Sequence, residues 1–137
     1  TMHFLKQTVL SKIYYDIILS DEKNARFYYE VLEKSSNYRV NKTITDPIFK
    51  TYIGEFKLIL TEEQFQIICL FNAGARREFM MNYFKKHLDT PPYEVSNYFE
   101  SIVPLLMRID KGTVDSVLLQ SENIARSIDY SELVFLV

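Results

Sequence analysis

Glycine and proline are scarce, with 3 and 4 in 137 residues. A β-sandwich with a turn at every strand end needs more of both. A single cysteine, Cys69, excludes an internal disulfide, and such thiol usage fits the reducing cytoplasm. Tryptophan is absent. No apolar run approaches the ~18 residues of a membrane span. The first residues lack the basic start and apolar centre of a secretory signal. The formal net charge is only −2. A surface that grips phosphates broadly is basic, so any DNA contact by the whole protein falls to another segment. Thr1 precedes Met2, so the chain is expected either to carry an expression scar or to be a fragment of something longer.

Signatures of catalysis are missing too. The two histidines, His3 and His87, are far apart, and neither belongs to an H-E-x-x-H motif. Without a cysteine cluster, no zinc site is expected. There is no glycine-rich phosphate loop, no dinucleotide fingerprint and no G-x-S-x-G elbow. Asp21, Glu22, Glu62, Glu63 and Asp115 stand where helix starts favour negative charge, not as a general acid/base pair. The expectation is a protein that is not an enzyme and uses no cofactor. Cys69 sits among Ile67, Ile68, Leu70 and Phe71, the setting of a small buried hydrophobe and not of a nucleophile.

What is present is apolar and aromatic. Apolar residues make up 47% of the chain, and ten Phe and ten Tyr make up 15%. That composition fits one folded domain over residues 1–137 with a core of its own. Six helices are expected, forming a single all-α bundle of mostly antiparallel neighbours. The first covers residues 3–19, where Phe4, Leu5, Val9, Leu10, Ile13, Tyr14, Ile17 and Ile18 recur at helical spacing. Ser20 is expected to cap the second, residues 21–35. A polar loop bounded by Ser36-Asn37 and Asn41-Lys42-Thr43 leads to a third, which Asp46-Pro47 should open and which runs to about residue 60. Gly54 within it suggests close approach of another helix. Thr61-Glu62-Glu63-Gln64 reads as a capping box opening the longest helix, residues 62–88, where Ala73 and Gly74 would let a neighbour pack closely. After Asp89-Thr90-Pro91-Pro92 comes a fifth helix, residues 92–109, kinked by Pro104. Thr113 should cap a sixth, ending near residue 128. The apolar residues 133–137 form a last turn, a strand on the core, or a cut end.

Tyr14, Phe27, Tyr28, Tyr52, Phe56 and Phe71 come from the first four helices. Each is a natural core residue; together they could also wall an apolar cavity whose tyrosine hydroxyls add a few polar contacts. Asn72 lies on an apolar stripe between Ile68 and Ala75, where a buried amide needs a partner in the protein or in a ligand. Arg76-Arg77 and Lys85-Lys86 form a basic stretch, either a solvated face or part of an anion site.

The stretch Ser20-Asp21-Glu22-Lys23-Asn24-Ala25-Arg26-Phe27-Tyr28-Tyr29-Glu30-Val31-Leu32 resembles one common in TetR/AcrR transcription regulators, an acidic cap leading into an A-R-F-Y-like helix. Thr61-Glu62-Glu63 opening a long helix with Gly74-Ala75-Arg76 in its middle is similar to the long central helix of that family. The break from Asp89 to Pro92 and the two helices after it look like the family's last two. The resemblance implies an all-α domain whose first helices enclose a small effector, here apolar or aromatic. It also implies a homodimer through residues 92–109 and 113–128, and release of operator DNA when effector binds. The family's helix-turn-helix is not in this chain, so DNA would be reached only through an upstream domain. The rival expectation is a helical interaction module, an adaptor or decoy that holds a partner helix in a hydrophobic groove.

Overall fold

A computed structural model describes residues 2–34, 37–85 and 87–130, with the backbone alone for 37–41. Six helices follow one another: α1 (Met2–Ser20), α2 (Glu22–Lys34), α3 (Asn37–Glu55), α4 (Glu62–Phe84), α5 (Pro92–Leu106) and α6 (Lys111–Ser127). No strand occurs among the described residues. The fold is an all-α bundle, as the periodicity implies. The expected roles of residues 133–137 fall outside the described residues.

Helix starts show where the sequence signals were sufficient. At α4 the Thr61 side chain accepts from the Gln64 N–H at 3.1 Å, and the Gln64 side chain accepts from the Thr61 N–H at 2.9 Å. That is the expected capping box. At α2 the cap is Asp21 and not Ser20, because the Asp21 carboxylate accepts from the Asn24 N–H at 3.0 Å. At α6 the cap is Asp110 and not Thr113, whose N–H bonds to the Asp110 carboxylate at 3.0 Å. A carboxylate at a helix N-terminus gains from the dipole as well as from the hydrogen bond, so it outcompetes a nearby hydroxyl.

The largest correction concerns α3. It begins at Asn37, so Asn41, Lys42 and Thr43 lie within it and not in a loop. Pro47 sits inside the helix. Proline there forfeits one backbone bond, while Lys42 pairs with Asp46 one turn away and also with Gln66 of α4. α3 and α5 end earlier than expected. Lys57 and Arg108, just beyond them, adopt left-handed backbone with φ of 53° and 65°. Neither Gly54 nor Gly74 marks a close approach, since a Cβ at either would meet nothing within 4 Å.

α1 touches α2, α3, α5 and α6. A helix so enclosed must bury residues around much of its circumference, so Thr8, Ser11 and Lys12 are buried along with Phe4, Val9, Tyr15 and Ile18. The core divides in two. One cluster holds Phe4, Phe49, Tyr52, Phe65, Ile68, Val103, Val114 and Val117. The other holds Tyr15, Leu32, Met80, Val95 and Phe99. Between them lies a polar layer of Ser11 and Lys12 on α1, Asn72 and Arg76 on α4, and Ser96 and Glu100 on α5. Ser11, Lys12, Asn72, Ser96 and Glu100 are all buried.

Candidate functional site, a cleft over the polar layer

Polar side chains in a core need partners, and most of this layer finds them within the layer or on neighbouring residues of α5. The Ser11 and Ser96 hydroxyls meet at 3.1 Å. Lys12 Nζ donates to the Asn97 side-chain oxygen Oδ1. Arg76 follows Asn72 by one turn of α4, so its Nε donates to Asn72 Oδ1 at 2.8 Å. Its Nη2 reaches across to the Phe99 backbone carbonyl at 3.0 Å. The guanidinium also lies over the Phe99 ring, 5.1 Å from the centroid, and 3.7 Å from Glu100 Oε1. Burial opposes the Arg76 charge, but Glu100 and the adjacent tyrosines outweigh it and hold its pKa above the usual value.

A half-open cleft of about 520 Å³ lies over this layer. That is within the size range of small-molecule sites. α1 supplies Leu10, Ser11, Ile13, Tyr14, Tyr15 and Ile17; α2 supplies Tyr28. α3 supplies Ile44, Thr45, Asp46, Ile48 and Phe49; α4 supplies Cys69, Asn72, Ala73 and Arg76, and α5 supplies Glu100. The walls are therefore aliphatic and aromatic, and the charges are gathered in a few places. Burial, reinforced by Tyr15, pushes the Tyr14 hydroxyl up to about 12. Burial, then Tyr15 and Tyr14, raises Tyr28 well above its ordinary value. Both phenols stay protonated at neutral pH and can donate a hydrogen bond. Burial, followed by the Asp46 carboxylate, pushes the Cys69 thiol up to about 12. Cys69 is thus a buried, protonated thiol and not a nucleophile.

Three of the seven residues expected at a ligand site line this cleft: Tyr14, Tyr28 and Asn72. The other four are elsewhere. Tyr52 is fully buried in the larger core cluster, and its hydroxyl has no hydrogen-bond partner among the described residues. Phe56 packs against that cluster, 6.3 Å from the Phe4 ring. Phe27 is exposed, and Phe71 is 61% exposed on the outside of α4. One residue step on a helix turns the side chain by about 100°, from the 3.6-residue turn. That step carries Phe71 to the exposed side of α4, away from the cleft that Asn72 and Ala73 line.

Glu100, Asp46 and Tyr15 were missed, and Arg76 was named only within the basic stretch. Arg76 carried a signal, since it stands four residues after Asn72 on the same face. The basic stretch does not act as a unit: Arg76 turns inward, while Arg77 bonds the Glu33 carbonyl at 3.3 Å in an exposed position. Lys85 and His87 are exposed. Lys86 lies outside the described residues. No group of three metal-ligating side chains occurs among the described residues, and no helix is long and apolar enough to cross a membrane. No family model, no curated protein and no solved structure matches the chain.

Proposed function

We propose that this chain is the effector-binding and dimerisation domain of a transcription repressor of the TetR/AcrR kind. The single observation that carries the binding part is the cleft, about 520 Å³ of mainly apolar wall over a built polar layer. It is bordered by α1, α2, α3, α4 and α5 and so can couple a ligand to the relative placement of most of the bundle. A ligand changes that placement only by binding one arrangement better than another. Operator contact, on this reading, belongs to a domain outside this chain.

Self-association belongs to the same proposal. The family resemblance assigns it to α5 and α6. Exposed apolar side chains stand on α5 (Tyr98, Leu105, Leu106) and on α4 (Ile67, Leu70, Phe71). On α6, Leu119 and Ile124 are exposed as well, but among the exposed polar residues Asp115, Ser116, Gln120 and Asn123. Such apolar side chains are what a two-fold helical interface covers, so α5 flanked by α4 is the better-supported contact.

The same exposed face of α4 and α5 supports the second reading, capture of a partner helix. A thermal-shift panel separates the two. Stabilisation by small apolar molecules and not by amphipathic helical peptides supports the repressor-domain reading. Stabilisation by peptides alone replaces it with the interaction module.

A further inference from the structure

Glu100 is only 3% exposed, yet it lines the cleft. It accepts no hydrogen bond from any described residue. Its ion-pair partner is Arg76, whose nearest nitrogen stands 3.7 Å away, beyond hydrogen-bond reach. An ionised carboxylate can accept up to about four hydrogen bonds, so Glu100 has acceptor capacity left for a donor in the cleft. Arg76 is already committed, to Asn72, to the Phe99 carbonyl and to the Phe99 ring. Lys12, the other cation of the layer, does not line the cleft and is turned to Asn97.

The rest of the lining agrees. Asp46 adds a second carboxylate, whose partner Lys42 is not itself part of the lining. Tyr14, Tyr15 and Tyr28 supply aromatic faces that attract a cation through their quadrupoles. An incoming anion would meet two carboxylates, and the one guanidinium of the lining, Arg76, already has Glu100 as its ion-pair partner.

We propose, resting on the small-molecule reading of the cleft, that its ligand is a cationic amphiphile, a protonated amine on an aliphatic or aromatic body, with Glu100 accepting from the ammonium. The test compares decylammonium, decanol and decanoate, all below their aggregation concentrations, by calorimetric titration of the whole chain near neutral pH. Decylammonium should bind roughly tenfold or more tighter than decanol, the scale of one charge-assisted hydrogen bond, and decanoate weakest. Glu100→Gln should bring decylammonium down to the level of decanol while decanol is unchanged. If Glu100→Gln fails to fold, the wild-type ranking decides alone. Decanoate binding tightest, decanol matching decylammonium, or an ammonium preference that survives Glu100→Gln overturns the proposal and leaves the cleft a ligand site. Absence of binding by all three overturns the cleft reading itself.

Discussion

Replacing Arg76 by methionine should be among the most damaging single changes in this protein. The substitution keeps an unbranched chain of similar reach. It removes the donor to Asn72 at 2.8 Å and the donor to the Phe99 carbonyl at 3.0 Å. It also leaves Glu100, 3% exposed, as a buried carboxylate facing no cation on α4. Breaking one side of a buried pair costs about 3–5 kcal/mol, out of the roughly 5–15 kcal/mol that holds a domain folded. Removing the stranded charge as well, in Arg76→Met/Glu100→Leu, should recover most of the loss. Some cost remains, about 1–2 kcal/mol, for the bonds that Asn72 and the Phe99 carbonyl no longer make. The double-mutant cycle should therefore give a coupling of at least about 2 kcal/mol. Urea titration followed by far-ultraviolet circular dichroism measures each corner. Additive single effects, or an Arg76→Met cost below about 1 kcal/mol, would refute the description of this layer as a mutually dependent network.

Three further outcomes are expected. Gly54→Ala and Gly74→Ala should each stabilise the fold by about 0.5–1 kcal/mol, because a helical Gly costs backbone entropy and a Cβ at either meets open space. Unchanged or lower melting temperatures would contradict this. Glu55 accepts from the N–H groups of His3 and Phe4, at 2.6 and 3.3 Å, and so caps α1 from the end of α3. Partial burial pushes its carboxyl up, but these bonds outweigh that and hold its pKa below 4.5. Its contribution, about 1 kcal/mol for a cap, should be complete above that value and fade as pH falls through the lower folded value. The stability gap between wild type and Glu55→Gln should close in acid, and a gap that widens there contradicts the assignment. Finally, Leu105→Glu combined with Phe71→Glu should shift the sedimentation profile toward monomer, whereas Leu119→Glu should leave it unchanged. The reverse result would return the contact to α6.

Helix number and class were legible because apolar residues recur at the helical period in every element, and because the Thr61–Gln64 box and the Pro91-Pro92 break are local signals. The start of α3 was not. Asp46-Pro47 looks like a helix entry, and only the packing of α3 on α4, with Lys42 reaching both Asp46 and Gln66, carries the helix through proline. Stripe logic also misdirected the site. Apolar stripes locate cores, and Tyr52 and Phe56 were accordingly found there. The cleft takes only part of those stripes, such as Ile13 and Tyr14, and adds polar residues whose partners come from other helices. Glu100 illustrates the limit. Within α5 it is one of two acidic residues, beside Glu94, and only the approach of α4 reveals its surroundings.

The central claim is that the cleft over the polar layer takes a small molecule. Ala73, on α4 within the lining, offers the most direct measurement: decylammonium titrated calorimetrically into wild type and into Ala73→Trp. Saturable binding that the tryptophan abolishes, with the fold intact by circular dichroism, is the predicted result. Binding of equal strength to both proteins would place the ligand elsewhere and contradict the account.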